Sequence, residues 1–173
     1  MKLYHGSNVP VNVPDLKHSK PYKDFGQGFY LSADRKQAVS MGEQKLSQIK
    51  QGSVYVSTFL FDESVMNSGK LKVKIFNDYS EEWVNFILAN RSYERKHPVH
   101  DYDIVYGPIA DDGVTFQLRR YEGGVISLER LLIELRYPKG ITFQYFFGTE
   151  RALKYLKRIK YGSNKRTNTA NEG

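Results

Sequence analysis

Three short segments carry the residues best suited to chemistry. The first is Leu3-Tyr4-His5-Gly6-Ser7, an apolar start that ends in a histidine followed by glycine. The second is Asp24-Phe25-Gly26-Gln27-Gly28-Phe29-Tyr30-Leu31-Ser32-Ala33-Asp34, a glycine loop that runs into a tyrosine between apolar neighbours. The third is Ile141-Thr142-Phe143-Gln144-Tyr145-Phe146-Phe147, where one amide sits among aromatic rings. Taken singly, each has an ordinary reading. A histidine at a strand end makes structural hydrogen bonds, G-x-G makes a turn, a tyrosine between apolar residues packs, and a lone glutamine marks an exposed strand position.

Other polar groupings point less clearly to a reaction. Asp103, Asp111 and Asp112 bracket a loop and offer either a carboxylate for a substrate or turn-forming side chains. His97 and His100 stand in His-Pro-Val-His-Asp, but the proline prevents a helical i, i+3 pair, and no metal site is expected. The chain has no cysteine, which excludes disulfides, thiolate metal sites and a cysteine nucleophile. Neither G-x-G-x-x-G nor G-x-x-x-x-G-K-[ST] occurs, so the common phosphate-cradling loops are absent.

The elements that must position these residues are read from pattern. Runs rich in β-branched and aromatic residues predict strands at Lys2–His5, Gly28–Ser32, Val54–Phe61, Leu71–Phe76, Asp103–Tyr106 and Ile141–Phe147. Clusters such as Gly6–Pro14 and Gly107–Gly113 read as turns. Asp34-Arg35-Lys36-Gln37 reads as a capping box ahead of Ala38, Met41, Leu46 and Ile49. Asp78–Glu81 leads into the stripe Trp83, Phe86, Ile87. Ser127 caps a helix with Leu128, Leu131, Leu132 and Leu135 inward, stopped by Pro138. Thr149 opens a last helix with Leu153, Leu156 and Ile159 inward. Strands spread from end to end without βαβ alternation predict an α+β fold rather than a doubly wound sheet.

At 173 residues, 40% hydrophobic and 26% charged, the chain fits one globular domain over 1–161, followed by a flexible basic and polar tail over 162–173. The net charge is +7, and residues 151–173 hold all but about one of those charges, against a nearly neutral body. That end reads as a solvated helix face and tail more readily than as a nucleic-acid contact. No run suits a signal peptide or a membrane span, so a soluble, cytoplasmic protein is expected.

In this order, the three segments resemble the ADP-ribosyltransferase superfamily, in its diphtheria-toxin and poly(ADP-ribose)-polymerase-like branch with a His-Tyr-Glu triad. Leu3–Ser7 is similar to the first motif, [LI]-[WY]-H-G-[ST]. Gly26-Gln27-Gly28-Phe29-Tyr30-Leu31 is similar to the second, G-x-G-[IF]-Y-[FL]. Gln144-Tyr145-Phe146 falls where the third motif places its glutamate. The Asp24–Tyr30 stretch, Tyr102–Asp112 and the Gln-Tyr-Phe ending resemble a group of bacterial members of the superfamily, some of them like toxins of toxin–antitoxin or phage-defence loci.

The resemblance implies a split β-sandwich of two small sheets flanked by helices, with NAD⁺ as co-substrate and no metal. It implies catalytic roles for His5, Tyr30 and Gln144, and NAD⁺ contacts from His5, Gly6, Ser7, Gly28, Tyr30 and Met41. Gly6 would pair its backbone N–H and C=O with the nicotinamide carboxamide, His5 would bond a hydroxyl of the adenosine ribose, and Tyr30 would stack on the pyridinium. Ser7 would add a donor to the carboxamide, and Met41 stands where the family places a second stacking ring. The activity implied is transfer of one ADP-ribose to a macromolecule, protein or nucleic acid, with release of nicotinamide and with a small antitoxin protein as partner. Gln144 in place of glutamate lacks the charge and the base needed for chain growth, which favours single transfer. Hydrolysis of NAD⁺ by water, and a catalytically silent NAD⁺- or nucleic-acid-binding module, are the alternatives within the same fold.

Overall fold

Seven short strands form two sheets in the computed structural model, which describes residues 1–136 and 140–159. The first sheet has the order β1 (Lys2–Ser7), β3 (Tyr55–Phe61), β7 (Leu156–Ile159), all antiparallel. The second has the order β2 (Phe29–Leu31), β6 (Phe143–Phe147), β5 (Ile104–Pro108), β4 (Val73–Ile75), with β4 and β5 parallel. An isolated backbone bridge joins the two sheets: Tyr4 N–H donates to Ser32 O at 2.8 Å and Ser32 N–H to Tyr4 O at 2.9 Å. The protein has the α+β fold that its sequence pattern predicts, built on two small sheets as the resemblance implies.

Period-two alternation sorts the strand side chains into two cores. Leu3, Phe59 and Phe61 of the first sheet meet Phe29, Leu31, Ile104 and Phe147 of the second, so the sheets face each other across an aromatic layer. The intervening residues Tyr30, Val105 and Phe146 point the opposite way, into a second core closed by helices α2 (Glu81–Arg91), α3 (Asp112–Glu122) and α4 (Leu128–Glu134). Trp83 and Ile87 of α2 and Leu131 of α4 are fully buried there, each worth about 1.5–3 kcal/mol of transfer free energy. Trp83 Nε1–H also donates to Pro108 O at 2.8 Å, pinning α2 to the end of β5.

Helix α1 (Arg35–Ile49) lies against β1 through its smallest residues, Ala38 and Gly42. The approach is close: a Cβ on Gly6 would lie 1.7 Å from the Ala38 carbonyl oxygen. Asp34 caps the helix by accepting from Lys36 N–H at 2.8 Å. The other half of the expected capping box does not form. Gln37 instead accepts from Ser32 Oγ, and Ser32 Oγ accepts from Asp34 N–H. Ser80 and Ser127 cap α2 and α4 through Trp83 N–H and Arg130 N–H.

Two expectations are corrected. The turn read over Gly107–Gly113 runs into a helix, α3, whose N-cap Asp111 accepts from Val114 N–H at 2.9 Å. The long last helix is instead one turn, α5 (Glu150–Leu153), followed by strand β7. The Leu153, Leu156, Ile159 spacing suits a helix, but the open edge of β3 takes 156–159 as a partner, from Phe61↔Leu156 to Thr58↔Ile159. Pro138, expected to stop α4, and the tail expected over 162–173 lie outside the described residues. No helix among the described residues is long and apolar enough to cross a membrane.

Candidate functional site

The bridge between the sheets ends at Tyr4 and Ser32, and beyond it β1 and β2 part. Backbone amides alternate sides along a strand. Because Tyr4 turns its N–H and C=O toward β2, Gly6, two residues on, does the same, while Leu3, His5 and Ser7 face β3. Continuing the register sets Gly6 across from Tyr30. No bridge forms there, and neither the Gly6 N–H nor its C=O has a hydrogen-bond partner among the described residues. Gly6 is nevertheless buried. An unpaired backbone donor and acceptor, side by side on a buried residue, is an uncommon arrangement.

His5 occupies the adjoining part of this seam. Its ring stacks on Phe29 with centroids 4.4 Å apart, and Nδ1 lies 2.8 Å from the carbonyl oxygen of Tyr30. A carbonyl only accepts, so Nδ1 carries the proton and Nε2 presents a lone pair. Burial, with smaller contributions from the charges of Lys45 and Lys23, outweighs the Tyr30 hydrogen bond and lowers the imidazole pKa to about 4. At neutral pH the ring is uncharged, a hydrogen-bond acceptor at Nε2 and not an acid.

Tyr30 is held at both ends of its ring. Its hydroxyl donates to Gly26 O at 2.6 Å and accepts from Phe25 N–H at 3.1 Å, and Phe146 packs edge-on. Burial pushes the phenol pKa well up, so it stays protonated. The hydroxyl is therefore spent on shaping the Phe25–Gly26 turn, where Gly26 has φ +90°, and only a ring face is left for stacking. Over that ring sits the Lys23 ammonium, Nζ 4.4 Å from the centroid. The loop carrying Lys23 is anchored by its neighbour Asp24, which accepts from Arg91 Nε at 2.7 Å and from Ala110 N–H at 2.7 Å. Burial lowers the pKa of Lys23, and the charge of Lys45 adds to the effect.

Gln144 completes the group. It shares a face of β6 with Phe146, and continuing the β2–β6 register places Ser32 across from it and Tyr30 on the diagonal. Its side chain is buried, and Nε2–H donates to Met41 Sδ at 2.7 Å. Its carbonyl oxygen takes no hydrogen bond among the described residues. Met41 belongs to a row of α1, Gln37–Met41–Lys45, spaced one turn apart.

His5, Gly6, Tyr30, Gln144 and Met41 thus gather around one seam from three strands and a helix. Ser7, buried, continues β1 on the His5 face with no hydrogen bond to its hydroxyl among the described residues. Gly28 has a different explanation: a Cβ there would stand 2.3 Å from Phe146 Cε2, so its bareness serves core packing. The carboxylates considered from sequence are structural. Asp103 is fully buried and accepts from Lys72 N–H, Thr149 Oγ1 and the Arg151 guanidinium. Asp111 caps α3, and Asp112 lies in its first turn. His100 Nε2–H donates to Phe25 O at 2.8 Å while Nδ1 accepts from Tyr102 N–H, so it braces the Tyr30 loop. No pattern in the sequence distinguishes Lys23 and Lys45 from the other 24 basic side chains.

Over residues 1–158 the chain matches the family described as "Protein of unknown function (DUF3990)". The chain belongs to that family. No curated protein and no solved structure matches it.

Proposed function

We propose that this protein binds NAD⁺ in the seam between β1 and β2 and transfers a single ADP-ribose to a macromolecular acceptor. The observation that carries the reading is the unpaired N–H and C=O of the buried residue Gly6. A primary carboxamide, as in nicotinamide, offers the reciprocal acceptor and donor, and two such bonds satisfy both orphaned groups. His5 Nε2 accepts from a ribose hydroxyl, a task that suits a neutral imidazole. The Tyr30 face, now under a lysine ammonium, exchanges one cation for another when a pyridinium enters. The free carbonyl oxygen of Gln144 accepts from a hydroxyl of the nicotinamide ribose.

In the reaction, the bond from ribose C1′ to the nicotinamide nitrogen breaks and its electron pair leaves with nicotinamide. The acceptor's lone pair forms the new bond to C1′, and the acceptor's proton passes to solvent. Gln144 offers a dipole rather than a charge to the developing oxocarbenium, consistent with one transfer rather than chain growth. The closing experiment incubates the protein with NAD⁺ labelled in the adenosine and follows both nicotinamide release and label in macromolecules. Release with retained label is expected, and it falls by orders of magnitude in His5→Ala. Free labelled ADP-ribose alone would make the protein a hydrolase. Absence of both release and NAD⁺ binding overturns the reading.

A further inference from the structure

Past Ser32, the residue that follows β2, a cavity of about 510 Å³ opens between the start of α1 and the first residues of β6. Its floor is an aromatic shelf. Tyr106 stacks on Phe143 at 5.3 Å with an interplanar angle of 20°, and lies 4.5 Å from Tyr145, all three half-buried. Facing the shelf is Gln37, whose amide is fixed in one orientation. The Ser32 hydroxyl donates to Gln37 Oε1 and is itself fixed by accepting from Asp34 N–H. The other end, Nε2, is buried and has no hydrogen-bond partner among the described residues. A buried amide donor left unpaired costs free energy that a ligand acceptor recovers. The phenols of Tyr106 and Tyr145 have pKa values raised by burial, so both remain O–H donors. At the rim, Lys36 adds a positive charge.

We propose that this cavity seats the base of an unpaired nucleotide in a single-stranded nucleic acid. The shelf offers apolar rings to a flat heterocycle, and a rotation of the half-buried Gln37 side chain, which brings its covered Nε2–H to the cavity, pairs it with a carbonyl oxygen or ring nitrogen on the base's edge. An aliphatic side chain would leave the amide unpaired, and a phosphate alone would leave the shelf uncovered. Base–aromatic stacking is tolerant of sequence, so the site favours bases over abasic sugar rather than one base over another. Gln37 lies one helical turn from Met41, which touches Gln144, so the base would sit one turn of α1 from Gln144, its stacking rings on the opposite face of β6, and would serve as the acceptor. That role rests on the ADP-ribosyl transfer proposed above; the binding itself does not.

The test measures fluorescence anisotropy of a labelled single-stranded oligonucleotide against an abasic strand of the same length and charge, without NAD⁺. The base-containing strand is expected to bind at least tenfold more tightly. Gln37→Ala and Tyr145→Ala, each checked for a native melting transition, abolish that preference while retaining the weaker binding common to both strands. Equal binding of the two strands by the wild-type protein would reduce the interaction to surface charge and overturn the proposal. A preference unaltered by both folded variants would place the base elsewhere and overturn it too. If the variants misfold, chemical-shift perturbation of the Tyr106 and Tyr145 rings in the wild-type protein decides: shifts with bases but not abasic strand are expected, and their absence refutes the site. Nicotinamide release is read separately, so failure of NAD⁺ chemistry is distinguishable from failure of base binding.

Discussion

Replacing Lys23 by methionine tests whether the ammonium over Tyr30 competes with a pyridinium for the same ring. Methionine keeps the apolar stem that packs in the loop and removes the charge. In the wild-type protein the contact, with Nζ 4.4 Å from the ring centroid, must break before a ligand can stack. Cation–π contacts are worth about 0.5–2 kcal/mol. Burial lowers the pKa of Lys23, so desolvation already offsets part of this gain. A net value of about 0.5–1 kcal/mol translates to roughly two- to fivefold in affinity. 1-Methylnicotinamide is the appropriate probe, because it carries the carboxamide and the permanent charge without the diphosphate, which the loss of a lysine would also affect. Titration calorimetry should show Lys23→Met binding it two- to fivefold more tightly than the wild-type protein. Neutral nicotinamide should gain by the same factor, since its competitor is also gone. Unchanged or weaker binding of both probes by the folded variant would show that the lysine does not stand in the ligand's place.

The neutral imidazole of His5, half-buried and held by the Tyr30 carbonyl, makes stability depend on pH. Its folded pKa of about 4 lies below the usual 6.5. The contribution is therefore complete above pH 6.5 and lost as pH falls toward 4, by at most about 3 kcal/mol. Urea midpoints across that range should fall in the wild-type protein and change less in His5→Gln. Gly6→Ala forces a Cβ to within 1.7 Å of the Ala38 carbonyl oxygen, and its melting temperature should fall by an amount equivalent to about 3 kcal/mol or more. Asp103→Ala leaves the Thr149 hydroxyl and Lys72 amide without their shared acceptor while the half-exposed Arg151 guanidinium turns to water, and should cost about 1–3 kcal/mol in chemical denaturation. Gln144→Ala should lower kcat for nicotinamide release more than it raises KM, since the role proposed for the amide is to act on charge that develops in the transition state; a raised KM with kcat unchanged would assign Gln144 to ground-state binding.

The strands were legible because their aromatic and β-branched runs also supply both cores. Phe143–Phe147 reads as a strand for the same reason that Phe147 fills one core and Phe146 the other. Asp34, the stretch Asp78–Glu81 and Ser127 mark three helix starts because Asp34, Ser80 and Ser127 do satisfy first-turn amides. Helix α3 was hidden by the Gly107–Gly113 cluster, although Asp111 three residues before Val114 carried a capping signal of the same kind. Strand β7 was not legible at all. Its identity depends on the free edge of β3, almost a hundred residues away in sequence, and local spacing of leucines pointed to a helix. Of the site, the positions on β1, β2 and β6 were readable as motifs, but the lysine on Tyr30 and the methionine on Gln144 are consequences of loop and helix placement alone.

Gly6 carries two separate demands, and this shapes how the site can be probed. One face must be bare because the Ala38 carbonyl of α1 lies against it. One edge must present an N–H and a C=O to the seam because the strand alternates and β2 has turned away. The first demand alone explains a glycine there, as it does at Gly28. The second is a property of the backbone and survives no better in one side chain than another, so no substitution at position 6 separates packing from ligand binding. Shortening Ala38 does not relieve the clash either, since the opposing atom is main chain. The informative changes are therefore at neighbours that border the seam without closing it: the acceptor nitrogen of His5, the ammonium of Lys23 and the amide of Gln144. If these three alter pyridinium binding or turnover while the melting transition stays native, the orphaned amide edge of Gly6 is a recognition element. If they alter stability alone, the seam is a packing defect tolerated for the sake of the helix.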